Sequence, residues 1–174
     1  MPATDAVLER TVEYAEATLY QAVFSPDSSL VVAGASDGAV KIWDARGGGL
    51  RGELDLSAND EFVDSLAFSP DGGLLATGAG LGAVRLWDTR AFRPVGEPLS
   101  GHKDFVVSVA FSPDGSMLAS SGSNRNICLW NVAGRSLICK LDTRLTYLDT
   151  LSFSPDGRLL AAVSDRLVQF VKMV

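Results

Sequence analysis

One tetrapeptide recurs along this chain at nearly constant spacing. Phe-Ser-Pro-Asp occupies residues 24–27, 68–71, 111–114 and 153–156, so that successive copies are 44, 43 and 42 residues apart. In three copies a tryptophan follows the Asp by sixteen residues, at Trp43, Trp87 and Trp130. A period of about 40 to 45 residues is that of a structural unit that stacks on further units of its kind. The chain is therefore predicted to consist of four repeats.

Each repeat is predicted to form four short strands, as the third repeat illustrates. Val106–Phe111 is apolar and β-prone, and it ends at a turn in which Pro113 presets φ and Gly115 suits the exit. Phe111 and its equivalents are assigned to the core. The remaining strands of this repeat are predicted at 117–121, 127–131 and 136–141. This pattern indicates an all-β fold.

The turn, the period and the Trp-Asp pairs together resemble the WD-repeat β-propeller family. The pairs are Trp43-Asp44 and Trp87-Asp88, with Trp130-Asn131 as a variant. The resemblance covers about residues 19–174 and implies propeller blades of four antiparallel strands, with four blades in one domain, 1–174. The blades are expected at about 17–56, 57–99, 100–141 and 142–174, with an N-terminal outer strand at 7–15.

The resemblance also implies a hydrogen-bonded set of His, Ser or Thr, Asp and Trp inside each blade. The third repeat matches it best, with His102, Ser120 and Trp130, although Asn124 stands where Asp is usual. The other repeats keep parts of the set, namely Thr77 and Trp87, Asp37 and Trp43, and Asp165. Since no repeat is complete, the blades are expected to rely mainly on apolar packing.

Ring closure is the main question that the resemblance raises, because WD propellers usually have about seven blades. The fourth repeat lacks an outer strand, whereas the segment 7–15 is spare. Two copies could form an eight-bladed ring, one chain could close alone, or the chain could be a half-propeller that another protein completes. The homodimeric ring is preferred, because symmetric self-association is the commonest oligomeric solution.

Charge and cysteine content narrow the functional classes. A net charge of −6 argues against nucleic acid and anionic membranes as partners. Residues 1–10 lack a secretory signal, and no stretch is long enough to span a membrane. Cys128 and Cys139 are too few for a disulfide framework. A two-residue Ala133-Gly134 turn would make the two thiols face each other, and we expect them to be reduced in a cytoplasmic protein.

The sequence offers no catalytic or cofactor motif. A single histidine without a second ligand cannot form a zinc site, so His102 is expected to be structural. Gly47-Gly48-Gly49 lacks the ending of a phosphate-binding loop and is assigned to a hairpin turn. No metal or cofactor is expected, and the protein is not expected to be an enzyme. The alternative is an enzyme with an acidic central channel near Asp60, Glu61 and Asp64.

Partner binding is the function that the sequence favours. In WD propellers the inner strands begin at the rim of the top face, where partners dock. At these positions the chain has Tyr20, Phe62, Asp64, Phe105, Val107, Tyr147 and Asp149. Aromatic side chains anchor interfaces, and carboxylates select basic partners. We expect a non-catalytic scaffold for a protein or peptide. The alternatives are that Phe62 and Phe105 pack between blades, or that the chain is a purely structural subunit.

Overall fold

The chain folds into strands joined by tight turns. The computed structural model describes residues 11–14, 16–56, 62–143, 145 and 148–173. Within these ranges there are sixteen strands in four antiparallel sheets, and no helix. The expected all-β blades are thus confirmed. No helix that could span a membrane occurs in the described part of the chain.

Blades 1 and 3 contain four strands that pair in sequence order. The strands of blade 1 are β1 (Leu19–Phe24), β2 (Leu30–Ala35), β3 (Ala39–Asp44) and β4 (Leu50–Asp55). Strands β5 to β9 belong to blade 2. The strands of blade 3 are β10 (Val106–Phe111), β11 (Met117–Gly122), β12 (Asn126–Asn131) and β13 (Ser136–Asp142). The predicted strands of the third repeat agree with these to within one residue.

Blade 2 has a broken outer strand. Its first three strands are β5 (Val63–Phe68), β6 (Leu74–Ala79) and β7 (Ala83–Asp88). Two short strands, β8 (Arg93–Pro94) and β9 (Leu99–Ser100), both pair with β7. Pro94 has no N–H for the ladder, and Gly96 between the two pieces has a φ of +72°. The outer strand therefore pairs in two pieces, which the repeat pattern did not predict.

Blade 4 has three strands among the described residues. They are β14 (Thr150–Phe153), β15 (Leu159–Ser164) and β16 (Leu167–Lys172). The outer strand predicted at 7–15 lies mostly outside the described residues, and its described part, 11–14, forms no strand. The two-chain ring therefore stays a prediction.

The repeated tetrapeptide builds the same turn in all four blades. In each copy the Ser hydroxyl donates a hydrogen bond of 2.6 Å to the Asp carboxylate. The same hydroxyl accepts the amide N–H five residues after the Ser, at 2.9 to 3.0 Å. The residue after Asp has a positive φ, as a Gly in three copies and as Ser28 in the first. The motif therefore forms the turn that connects the first two strands of each blade.

The core lies between consecutive blades. Inner strands β1, β5, β10 and β14 lie side by side in that order. We call the side of a blade that carries the tryptophan position its leading face, and the opposite side its trailing face. At the first junction Trp87 and Leu75 on the leading face of blade 2 pack with Ile42 and Val32 on the trailing face of blade 1. Two further junctions repeat this arrangement.

The predicted juxtaposition of the two cysteines is wrong. A bulge at Ile138 on β13 shifts the pairing of the hairpin by one residue. Cys139 therefore pairs with Leu129, and Cys128 pairs with Lys140. Neighbouring residues on a strand point to opposite faces, so the two thiols lie in different junctions, and both are free.

Candidate functional site

Three aromatic rings form a row where the inner strands begin. Tyr20 is the second residue of β1, whereas Phe62 and Phe105 directly precede β5 and β10. The Tyr20 and Phe62 ring centres are 6.3 Å apart in an edge-on arrangement. Those of Phe62 and Phe105 are 5.2 Å apart. The row thus joins three blades, and its contacts have the separations of favourable aromatic pairs.

The two ends of the row face solvent. Tyr20 is 52% exposed and Phe105 is 40% exposed, while Phe62 is partly buried between them. The sequence left open whether Phe62 and Phe105 face solvent or pack between blades. In the structure Phe62 packs between blades, whereas Phe105 presents a free surface. Tyr147 lies outside the described residues. The row is therefore an apolar strip whose middle ring is fixed by its neighbours.

Carboxylates also occur where the inner strands begin. Asp64 on β5 is partly buried, and burial raises the pKa of its carboxyl group. Asp149 is exposed just before β14, and Val107 on β10 is partly buried. Asp104, which the sequence reasoning missed, is exposed and accepts the Phe105 amide N–H at 2.9 Å. Asp60 and Glu61, proposed for an acidic channel, lie outside the described residues.

A second group missed by the sequence reasoning ties the segment 11–14 to blade 1. The Tyr14 hydroxyl donates to Asp37 Oδ2 at 2.8 Å, and this bond raises the pKa of Tyr14. Lys41 Nζ lies 4.6 Å from the centre of the Tyr14 ring and also pairs with Glu53. Asp37 accepts the Ala39 amide N–H at 3.0 Å as well. No sequence signal links Tyr14 to Asp37, because the contact is non-local.

The network of blade 3 centres on the Ser120 hydroxyl. Ser120 Oγ lies 2.7 Å from His102 Nε2 and accepts the Trp130 indole N–H at 2.8 Å. Burial lowers the pKa of His102 to about 4, so the imidazole is neutral at pH 7. Asn124 lies beside Gly122, close to the other ring nitrogen, and its Oδ1 has no hydrogen-bond partner among the described residues. The imidazole is thus held as a buried neutral group.

The other blades keep only fragments of this network. In blade 2 the Trp87 indole N–H donates to Thr77 Oγ1 at 3.1 Å. In blade 1 Ala33 stands at the place of Thr77 and offers Trp43 no side-chain acceptor. Asp165 is exposed in a two-residue turn, whereas the corresponding turns of the other blades have three residues. Apolar packing therefore carries most of the structure in these blades.

A metal site is not formed by the described residues, where no three His, Cys, Asp or Glu side chains come together around a possible ion. His102 is the single histidine of the chain, and its imidazole is already used within blade 3. The carboxylates of the repeated turns bond their own serines and amides. These groups have local structural partners.

The geometry of turns, tryptophans and blade junctions agrees with a comparison against protein families. The family model described as WD domain, G-beta repeat, matches residues 10–44, 52–88, 92–131 and 140–171. The chain belongs to the WD-repeat family. No curated protein gives a match. WD-repeat proteins generally mediate protein–protein interactions and are generally not catalysts, so the aromatic row of this WD-repeat protein is the surface to consider first.

Proposed function

We propose that this protein is a non-catalytic scaffold that binds a protein or peptide partner on the face where its inner strands begin. The observation that carries the proposal is the aromatic row of Tyr20, Phe62 and Phe105, which spans three blades and is open at both ends. Aromatic side chains lose little conformational entropy on binding and supply much contact area.

The proposed partner is basic. Asp64, Asp104 and Asp149 lie at the starts of the inner strands, as the aromatic row does. A basic residue of a partner could pair with these carboxylates while an apolar neighbour covers a ring. The net charge of −6 adds long-range attraction for such a partner.

A selection of binding peptides tests this function. A random dodecapeptide library on phage is panned against the protein, and selected peptides are synthesised and titrated by fluorescence polarisation. We expect Tyr20→Ala combined with Phe105→Ala to weaken their binding at least about tenfold, because both rings are exposed anchors. Ile138→Ala, an exposed apolar change on the outer strand of blade 3, should leave the affinity unchanged.

The charges are tested separately. Asp64→Asn with Asp149→Asn should weaken the binding of basic peptides, and this loss of affinity should shrink as salt is added.

Phe62→Ala with Tyr147→Ala should abolish binding while the fold persists, as followed by circular dichroism. Peptides that bind the Tyr20 and Phe105 variant as tightly as the unaltered protein would place the binding surface elsewhere.

We also propose that a second copy closes the ring and gives eight blades. The support is that Phe24 on the leading face of blade 1 and Phe170 on the trailing face of blade 4 are each 66% exposed, whereas the corresponding faces form apolar clusters at the three internal junctions. A cytoplasmic location is proposed with it, since the free thiols of Cys128 and Cys139 suit a reducing compartment.

A further inference from the structure

The strand register of blade 4 identifies which of its residues correspond to the buried residues of the other blades. Phe170 pairs with Ala161 across β15 and β16 as Leu129 pairs with Ala119 in blade 3. In the same way Val168 pairs with Val163 at the place where Ile127 pairs with Ser121. Phe170 and Val168 are thus the trailing-face residues of β16.

These two positions are buried in every other blade. Their equivalents in blades 1 to 3 are at most 5% exposed, namely Val40, Ile42, Val84, Leu86, Ile127 and Leu129. In blade 4, Val168 is 55% exposed and Phe170 is 66% exposed. The trailing face of blade 4 therefore has the composition of a blade junction without the blade that would cover it.

The leading face of blade 1 is partly open, since Ala22 and Phe24 are exposed while Trp43 is buried. A groove of about 280 Å³ lies against Trp43, Val31 and Ala22, and Val12 of the segment 11–14 borders it. At the junction of blades 1 and 2 the equivalent tryptophan, Trp87, borders a cavity of only about 10 Å³. The space beside Trp43 is thus much larger than the space beside Trp87.

The side-chain sizes of the two open faces match each other. Phe170 is larger than its equivalents, which are Ile42, Leu86 and Leu129. Opposite, Ala22 stands where the later blades have Leu66, Val109 and Leu151. Val31 likewise stands where those blades have Leu75, Leu118 and Leu160. The leading face of blade 1 thus has smaller side chains than the other leading faces, and the trailing face of blade 4 has a larger one than the other trailing faces.

A hydrogen bond recurs at each internal junction and predicts one more. The side chain three residues before the repeated Phe accepts the amide N–H two residues before the next Phe. The three observed bonds are Leu66 N–H to Gln21 Oε1 at 2.6 Å, Val109 N–H to Ser65 Oγ at 2.9 Å, and Leu151 N–H to Ser108 Oγ at 3.0 Å. Blade 4 has Thr150 at the acceptor position, and blade 1 has Ala22 at the donor position.

On the second strand of the blade, the position that is glycine in blades 1 and 2 has a larger side chain in blade 4. A Cβ added to Gly34 would lie 2.6 Å from Val63 O, and one added to Gly78 would lie 2.6 Å from Val106 Cγ1. Blade 4 has Val163 at this position. Close contact between the open faces is therefore expected further out, around Phe170.

We propose that blade 4 of one copy packs its trailing face on the leading face of blade 1 of a second copy, and the reverse. Phe170 fills the groove over Trp43, and Thr150 Oγ1 accepts the Ala22 N–H of the other copy. This rests on the proposed two-chain ring and names the contacts that close it. Within the described part of the chain, Phe24 on the leading face of blade 1 and Phe170 on the trailing face of blade 4 are each 66% exposed.

Charged substitutions on the two faces test the pairing. The mass in solution is measured by light scattering after size exclusion, and the unaltered protein is expected at twice 18.4 kDa. Phe170→Lys alone and Ala22→Glu alone should each weaken the dimer at least about a hundredfold, because a charge becomes buried without a partner. Both residues are exposed in the single chain, so the variants should still fold, as circular dichroism would show.

An equimolar mixture of the two variants gives the decisive result. One interface then joins the introduced lysine of one variant to the introduced glutamate of the other, and the second interface is unaltered. A heterodimer should therefore form where neither variant dimerises alone. Ile138→Lys is the matched control on an exposed outer strand and should remain dimeric. Thr150→Val should weaken the dimer more than Thr150→Ser, which keeps the hydroxyl acceptor.

Two outcomes would overturn different statements. A monomeric unaltered protein at tens of micromolar would remove the two-chain ring itself, and a protein that completes the ring would then be the occupant of these faces. A dimer that survives Phe170→Lys and Ala22→Glu would keep the ring of two copies but reject this pairing of faces. Neither outcome depends on peptide binding at the aromatic row, which is measured separately.

Discussion

The hydroxyl of Ser120 serves two buried groups at once. It contacts His102 Nε2 and accepts the Trp130 indole N–H, and all three residues are buried. In blade 2, Thr77 serves Trp87 alone. A buried polar group that loses its partner costs about 1 to 3 kcal/mol. The hydroxyl at this position therefore contributes more to the free energy of unfolding in blade 3 than in blade 2.

Ser120→Ala is accordingly predicted to cost about 2 to 5 kcal/mol of unfolding free energy, because two buried groups lose their partner. Thr77→Val, which keeps the volume and strands one indole N–H, should cost about 1 to 3 kcal/mol. Chemical denaturation of both variants measures the difference. Equal losses would show that His102 draws little stability from Ser120.

The buried imidazole of His102 should make stability depend on pH. Its pKa falls from an ordinary value of 6.5 to about 4 because burial disfavours the charged form. Between these values the unfolded chain binds a proton that the folded chain does not. Stability is therefore complete above pH 6.5 and is lost as the pH falls towards 4, by about 3 kcal/mol in total.

Denaturation curves between pH 7 and 4.5 check this expectation. His102 is the single histidine, so His102→Gln should flatten the slope in the upper part of this range. A loss of stability that persists in His102→Gln would assign the effect to carboxyl groups whose pKa is lowered in the fold, such as Asp27 and Asp44, because only these lose stabilisation as the pH falls.

At the level of elements, blade spacing is set by residues without side chains. The Cα of Gly34 on β2 faces the backbone oxygen of Val63 at the start of β5, where an added Cβ would approach to 2.6 Å. A backbone atom of a paired strand cannot move aside as the end of a flexible side chain can. The glycine is therefore a requirement of the junction between blades 1 and 2.

Gly34→Ala should destabilise the protein by about 1 to 3 kcal/mol, the usual cost of overpacking. Gly49→Ala is the matched control, because an added Cβ there meets no atom within 4 Å and its φ is ordinary. Thermal unfolding compares the two. Equal midpoints would mean that the first two blades can separate without cost.

Local elements were predictable from sequence, whereas relations between blades were not. The turn motif gave the strands of blade 3 to within a residue, because its hydrogen bonds are confined to six residues. The prediction that the two cysteines face each other was wrong, because a bulge at Ile138 shifts the register of the hairpin. The contacts of Phe62 with Tyr20 and Phe105 join three blades, and a one-dimensional pattern contains no distances between blades.

For the whole molecule, the proposed two-chain ring would make stability depend on protein concentration. Three junctions bury apolar clusters within one chain. In the proposed ring, the exposed Phe170 and the groove over Trp43 bury a further apolar surface between the two chains. Association that occurs only in the folded state stabilises that state by mass action.

The melting temperature of the unaltered protein should therefore rise with protein concentration. Between about 1 and 100 μM the dimer gains about 2.7 kcal/mol per mole of dimer relative to two unfolded chains, since each tenfold change is worth about 1.4 kcal/mol. Differential scanning fluorimetry at several concentrations measures this. Phe170→Lys should melt at one temperature throughout, because its monomer has no partner to gain. A constant melting temperature for both proteins would mean that the terminal faces do not associate with each other in this range.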